Sequence, residues 1–119
     1  MNGVSLYQDS AISTQSKGRL IVLLYDGAIK FLKLAIIELE NNNYEAKGRY
    51  IARAIDIVNE LNAILNLEEG GEIAQNLRRI YTFVNTRLLQ ANLKKDTQAI
   101  RDIISIFEEL NQSWKAISN

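Results

Sequence analysis

The chain contains no cysteine and no histidine, and these two absences remove most routes to catalysis. Without cysteine there is no disulfide and no thiolate site. Without histidine the chain lacks the usual metal ligand, the usual general base and the Ser-His and Cys-His nucleophile pairs. A di-iron site in a helical bundle needs Glu-x-x-His pairs, so it is excluded as well. We therefore expect a protein that is not an enzyme and that uses no metal and no cofactor.

Glycine is also scarce, and none of the six glycines is placed to form a phosphate-binding loop. Gly70-Gly71 is not followed by the Lys-Ser or Lys-Thr pair that such a loop requires. Three carboxylates leave an acid–base pair open, namely Asp26, Glu60 and Glu72. Helix capping and surface ion pairs are the far more common roles for such residues, so the pattern favours a binding protein.

No excess of either charge is present, since 14 basic residues balance 14 acidic ones. The basic residues are scattered, so the chain lacks the basic stripe that binds nucleic acid. Its first residues, MNGVSLYQDSAISTQSK, lack the basic and apolar regions of a signal peptide. No apolar run is long enough and free enough of charge to insert into a membrane. These observations predict a cytoplasmic protein.

Proline is absent too, which suits an all-helical chain because every helical N–H can still donate. Apolar residues spaced by three and four predict four helices over residues 16–40, 44–66, 71–93 and 97–117. Thr14 and Ser16 are candidate caps for the first helix, and Asp96 is one for the last. The apolar stripe of the third helix is predicted to begin at Ile73, and that of the fourth to end at Ile117.

Short polar breaks join these helices, so consecutive helices are expected to pack antiparallel. The chain length corresponds to one domain. We predict an all-α fold, an antiparallel up-down four-helix bundle over residues 16–119. Residues 1–15 would form a short N-terminal arm or helix, and their pattern alone favours a frayed terminus.

The stretch over residues 20–39, LIVLLYDGAIKFLKLAIIEL, is apolar on nearly every side but is interrupted by four charges. Those charges exclude a transmembrane helix, yet the apolar area exceeds what a surface helix needs. Two interpretations remain open: a plain bundle with a wide core, or a bundle with a groove for a partner's amphipathic helix. Val22 and Ile37 lie within about 40° of the polar face around Asp26, where they would edge such a groove.

Four features of the chain stand out together: LIVLLYDGAIKFL at residues 20–32, GGEIAQNLRRIY at residues 70–81, LLQANLKKD at residues 88–96, and the closing Trp114. Together they resemble the FliS family of flagellar secretion chaperones. Their order and spacing match over essentially the whole chain. The chain departs from the family where a proline usually opens the first long helix, because Lys17 stands there.

The resemblance implies a cytosolic chaperone that binds the disordered C-terminal segment of flagellin. Binding would prevent premature polymerisation and keep flagellin competent for flagellar type III secretion, with a component of the export gate as a further partner. It also implies that the N-terminal arm lies over the client surface as a lid and moves when the client binds. The predicted lid residues are Val4, Leu6, Tyr7 and Ile12.

The residues that we predict to line or edge the flagellin groove come from the first three helices. They are Val22, Tyr25, Asp26, Ile29, Tyr50, Ile57, Ile64, Asn76, Leu77, Tyr81, Leu89 and Asn92. For the apolar members the alternative is a place in the bundle core. A competing hypothesis for the whole chain is a structural bundle that forms a homodimer through the same apolar surface and has no client.

Overall fold

The structure is a computed structural model that describes the backbone of residues 3–118 and the side chains of residues 17–66 and 70–118. The described part of the chain folds into α1 (Gly3–Glu40), α2 (Tyr44–Ile64), α3 (Leu67–Lys94) and α4 (Thr97–Ile117). The prediction of an all-α four-helix bundle is therefore confirmed.

Contacts between neighbouring helices show that the bundle is antiparallel throughout. Along α1 and α4, Gly18 lies beside Ser118 and Glu40 pairs with Arg101, so the two helices run in opposite directions. Helices α1 and α2, α2 and α3, and α3 and α4 also run in opposite directions. The helices thus follow one another around the bundle in chain order, and α1 and α4 close the ring.

Helix α1 begins at Gly3, so the predicted start near Ser16, with Thr14 or Ser16 as the cap, is wrong. The physical reason lies at Lys17. A proline at this position would remove a backbone N–H and end the helical hydrogen-bond ladder on its N-terminal side. Lysine keeps that N–H, so the helix continues towards the N-terminus.

The connections at one end of the bundle are short turns with side-chain caps. Asn43 precedes α2 and its side chain accepts a hydrogen bond from the Ala46 N–H. Asp96 caps α4 in the same way by accepting from the Ala99 N–H, as the sequence predicts. Asn42 adopts a positive φ of 59° in the first turn, which asparagine tolerates better than most residues.

The connection at the other end bends sharply at Gly71, where φ is 53° and ψ is −131°. This backbone conformation is accessible essentially to glycine alone. It separates the first residues of α3 from the long segment that packs in the bundle. The predicted break at this pair of glycines is therefore present, although helical residues lie on both sides of it.

Gly71→Ala is expected to lower the free energy of unfolding by about 1–3 kcal/mol, because a Cβ strains this conformation. Gly48→Ala is the matched control in the interior of α2, where a new Cβ would lie 3.9 Å from the Asn92 Oδ1. That change should stabilise the protein by about 0.5–1 kcal/mol. Urea denaturation of both variants measures the difference, and equal shifts of the same sign would contradict this account.

The core is filled by the predicted apolar stripes except at one end. Ile73 and Ile117, predicted as core, are 73% and 74% exposed. Both lie in terminal turns of their helices, where fewer neighbours are available to cover them. Their exposure creates apolar surface at the same end of the bundle.

Candidate functional site

Three ion pairs bridge the seam between α1 and α4. The N···O distances are 3.4 Å for Lys33 with Glu108, 3.4 Å for Arg101 with Glu40 and 3.5 Å for Lys115 with Asp26. These charges are about half exposed, so each pair adds only about 0–1 kcal/mol. Their spacing along both helices nevertheless covers this seam with charge and leaves little room for an apolar partner.

The seam between α2 and α3 is also polar. Asn85 Nδ2 donates to Asn59 Oδ1 at 2.7 Å, and the buried Lys47 donates to the Asn92 carbonyl at 3.0 Å and to its side-chain oxygen. Burial, and then the neighbouring Lys95, lowers the pKa of Lys47. The amine near the C-terminal end of α3 also complements the negative end of the helix dipole. This seam is held by specific hydrogen bonds.

The edge of α3 that faces α4 carries large apolar side chains. Ile73, Ile80 and Arg87 are spaced by seven residues and so lie in one row along the helix. Arg87 pairs with Asp96 at the start of α4, with 4.0 Å between the two atoms, which places the row on the α4 side. Phe83 lies three residues after Ile80 on the same edge and is 54% exposed.

Helix α4 presents a matching edge on the side away from its ion pairs with α1. Ile106 and Leu110 are half-buried there, and Ile117 is exposed. The packing of Tyr81 against Phe107, with ring centroids 6.3 Å apart, sets the antiparallel register. In that register Ile73 and Ile117 lie at the same end of the bundle, and Ile80 and Phe83 lie at about the level of Leu110 and Ile106.

We call these six residues the α3–α4 seam. Its rim is open to solvent and its floor packs on the core. Next to Phe83, an open depression of about 620 Å³ on the outer face of α3 is lined by Gln75, Arg78, Arg79 and Thr82 among the described residues. An amphipathic helix with acidic residues on its flank would suit apolar contacts beside two guanidinium groups.

The seam between α1 and α2 is apolar as well but more closely packed. Phe31 stacks on Tyr50 with ring centroids 6.1 Å apart. A Cβ on Gly27 would lie 3.2 Å from Ile57 Cδ1, so glycine permits this close approach. Apolar seams therefore alternate with polar seams around the bundle.

Three predicted groove residues lie in the core, and the prediction is corrected for them. Tyr25, Leu77 and Tyr81 are 0%, 7% and 1% exposed. The two phenols share a hydrogen bond across the bundle with 2.6 Å between their oxygens. Their periodicity placed them next to surface residues, but the two rings fill the space between α1, α3 and α4 beside Phe107.

The two buried phenols are expected to make the stability of the fold depend on pH in the alkaline range. Burial raises the pKa of Tyr25 and, with the neighbouring phenol, raises that of Tyr81 further. A phenol with a raised pKa holds its proton more tightly in the folded chain. Its stabilising contribution is therefore complete below about pH 10, the pKa in the unfolded chain, and is lost as the pH rises above it.

We expect the free energy of unfolding to fall steeply between about pH 10 and 12, and the fall to be shallower in the Tyr25→Phe/Tyr81→Phe double variant. Urea denaturation at a series of pH values measures both slopes. Equal slopes for the two proteins would show that other groups cause the alkaline loss.

Three predicted residues of α1 face α4 rather than α2. Asp26 accepts a hydrogen bond of 2.7 Å from Asn111 and pairs with Lys115, so its carboxylate joins α1 to α4. Ile29 lies within about 60° of Asp26 around the helix and packs against the core. The half-buried Val22 lies on the same side. These residues do not form one groove with α2.

The remaining predicted residues are divided among the other surfaces. Tyr50, Ile57 and Ile64 are half-buried against the core on α2. Asn76 is exposed and accepts from Arg79 at 2.8 Å, while Asn92 accepts from Lys47.

Leu89 is exposed on α3, on the side facing α2. The side chains of the predicted lid residues Val4, Leu6, Tyr7 and Ile12 lie outside the described residues.

Sequence reasoning missed the α3–α4 seam, although a signal for it was present. Ile73 and Ile117 fit the core stripes too well to be singled out. Phe83 was visible beside the stripe, three residues from Ile80 and four from Arg87. Only the pairing of Arg87 with Asp96 shows which neighbour that edge faces.

None of the helices, over the residues that the structure describes, has the length and hydropathy needed to span a bilayer.

Comparison with known proteins shows the family to which the chain belongs. The model of the family described as flagellar protein FliS matches residues 1–119. The flagellar secretion chaperone FliS of Salmonella typhimurium is 42% identical over 111 residues, which cover 92% of this chain and 82% of that protein. The proteins of the same name from Vibrio cholerae and Bacillus subtilis are 35% and 32% identical, over 92% and 96% of this chain and 80% and 84% of their own lengths. The chain therefore belongs to the FliS family of flagellar secretion chaperones, which is a chaperone family and not a family of enzymes.

Proposed function

We propose that the chain is a cytosolic export chaperone that binds the disordered C-terminal segment of flagellin, prevents its premature polymerisation and keeps it competent for flagellar type III secretion. The observation that carries this proposal is the open α3–α4 seam. Six apolar side chains lie along the adjoining edges of two antiparallel helices, and three of them are large and exposed. Such an exposed apolar strip suits the apolar face of an amphipathic helix.

The client segment would fold as it binds. A disordered segment gains helical structure when its apolar residues enter the seam, and the cost of ordering reduces the net affinity. The complex would then be passed to a component of the export gate. Bound flagellin residues cannot take part in polymerisation while they are covered.

Size-exclusion chromatography with purified flagellin tests the proposal. Intact flagellin should co-elute with the chain, and flagellin lacking its C-terminal segment should elute separately. Equal behaviour of the two flagellins would overturn the proposal. Self-association without binding to either flagellin would favour the structural homodimer instead.

We also propose that residues 1–15 act as a lid over the client surface. Because α1 begins at Gly3, the lid would be a helical extension of α1. Deletion of residues 1–15 should increase the association rate for flagellin in stopped-flow fluorescence. An unchanged or slower rate would count against the lid, provided that the truncated chain retains its helical circular dichroism.

A further inference from the structure

The two turns at one end of the bundle bring three lysines together. The α1–α2 turn and the start of α2 cover residues 40–47, and the end of α3 and the α3–α4 turn cover residues 92–97. We call these two segments the lysine end. It lies at the opposite end of the bundle from the exposed Ile73 and Ile117. Its lysines are Lys47, Lys94 and Lys95.

The ring of Tyr44 holds two of these charges close to each other. The Lys95 amine lies 3.8 Å from the ring centroid, and the Lys47 amine lies 6.0 Å from it. The two amines are therefore within about 10 Å of each other, which is about the Debye length at 0.1 M salt, so their fields add. Positive charge is concentrated around one exposed aromatic ring.

Lys47 strengthens this field because it is buried. It is 5% exposed, and its amine donates to the carbonyl and side-chain oxygens of Asn92. A buried charge is costly unless an opposite charge compensates it, yet no carboxylate of the described residues pairs with Lys47. Water and salt weaken the field of a buried charge less than that of an exposed one. Lys47 therefore adds uncompensated positive potential to the lysine end.

The carboxylates of the lysine end cannot neutralise this charge, because arginines already pair with them. The three ion pairs are Glu40 with Arg101 at 3.4 Å, Glu45 with Arg49 at 3.1 Å and Asp96 with Arg87 at 4.0 Å. Lys94 and Lys95 are exposed and form no ion pair within the part of the chain that the structure describes. The lysine end thus keeps free positive charge although the chain as a whole has a net charge of zero.

From these contacts we infer that the lysine end docks an acidic segment of a partner protein, whose carboxylates pair with Lys94 and Lys95. Leu93 is 84% exposed and Tyr44 is 41% exposed, so apolar contacts are available beside the lysines for a peptide. Three lysines are too few for nucleic acid, which is bound through a longer series of phosphate contacts. The lysine end is separate from the α3–α4 seam, so the inference does not depend on flagellin.

Fluorescence anisotropy with a labelled peptide, Glu-Glu-Leu-Asp-Glu-Leu, tests the inference on the purified chain. The peptide should bind with a dissociation constant on the order of 10–100 µM at low salt, as expected of a small contact. The matched peptide Gln-Gln-Leu-Asn-Gln-Leu should bind about tenfold more weakly, because it lacks the carboxylates. Equal binding of the two peptides, or binding of neither, would overturn the inference.

Substitutions of the lysines test the same contact from the side of the chain. Lys95→Asn removes a charge without adding strain, because Lys95 has a φ of 56°, which asparagine adopts more readily. This variant and Lys94→Gln should each weaken binding of the acidic peptide by about 3- to 10-fold. Lys30→Gln is the matched control, since it removes an exposed lysine from α1 and should leave binding unchanged. Equal binding by all three variants would contradict the assignment.

Chemical-shift mapping on the isotope-labelled chain locates the bound peptide. The largest changes should fall within residues 40–47 and 92–97, and changes centred on the α3–α4 seam would overturn this location. Co-sedimentation with phosphatidylserine vesicles compares the peptide with an anionic lipid surface. The chain should stay in the supernatant, and binding to vesicles in preference to the acidic peptide would overturn the choice of a protein partner.

Discussion

Phe83→Asp is expected to weaken flagellin binding by about 10- to 100-fold while leaving the fold intact. Phe83 is an exposed aromatic residue on the rim of the α3–α4 seam, and aromatic anchors dominate the energetics of such interfaces. Replacing the ring by a carboxylate removes the apolar contact and adds a charge that the client must desolvate. Isothermal titration of the variant with intact flagellin measures the loss.

Two further variants make this result interpretable. Ser105→Asp adds the same charge to an exposed position of α4 and should bind as the unmodified chain does. Ile29→Asp should instead unfold the bundle or lower its stability by several kcal/mol, because Ile29 packs on the core. Unchanged binding of a folded Phe83→Asp variant would remove the α3–α4 seam from the proposed site.

The number of helices and their antiparallel order could be predicted because the repeat of three and four residues is a local property of the chain. Ile51 and Val58 on α2 show this well, since both are fully buried as their spacing predicts. The cap at Asp96 was predictable for the same reason, because a cap depends on the next few residues only.

The site was less predictable than the fold. A helical wheel gives the direction in which a side chain leaves its own helix, but it does not show which neighbouring helix lies in that direction. Ile29 and Tyr50 were assigned to one groove, yet Ile29 lies on the side of α1 that faces α4. Tyr50 stacks on Phe31 between α1 and α2. Only contacts between helices, such as Asp26 with Lys115, show which edges adjoin.

The exposure of residues at helix ends is a second property that hydrophobic periodicity does not predict. Ile73 and Ile117 continue their stripes faultlessly, but a terminal residue is buried only if a neighbouring helix extends far enough to cover it. Here both residues remain exposed at the same end of the bundle, so the same periodicity that fills the core also supplies apolar residues to the α3–α4 seam.

Phe107→Ala is expected to lower the free energy of unfolding by about 3–5 kcal/mol, the largest effect on stability that we predict. The Phe107 ring is fully buried between the two tyrosines, 4.9 Å from the Tyr25 ring centroid. Its removal leaves a cavity where three helices meet and withdraws packing from both phenols. A domain of this size has a total stability of only about 5–15 kcal/mol, so much of it would be lost.

Phe83→Ala is the matched control for this change, because the same ring is removed from an exposed position. Its effect on unfolding should stay within about 0.5–1 kcal/mol, while its effect on flagellin binding should be clear. Phe107→Ala should have the opposite effect: it should lower the stability strongly and reduce flagellin binding only because less of the protein is folded. Urea denaturation and titration of both variants therefore separate core from client surface. Similar destabilisation by the two changes would mean that the Phe83 ring is also part of the core.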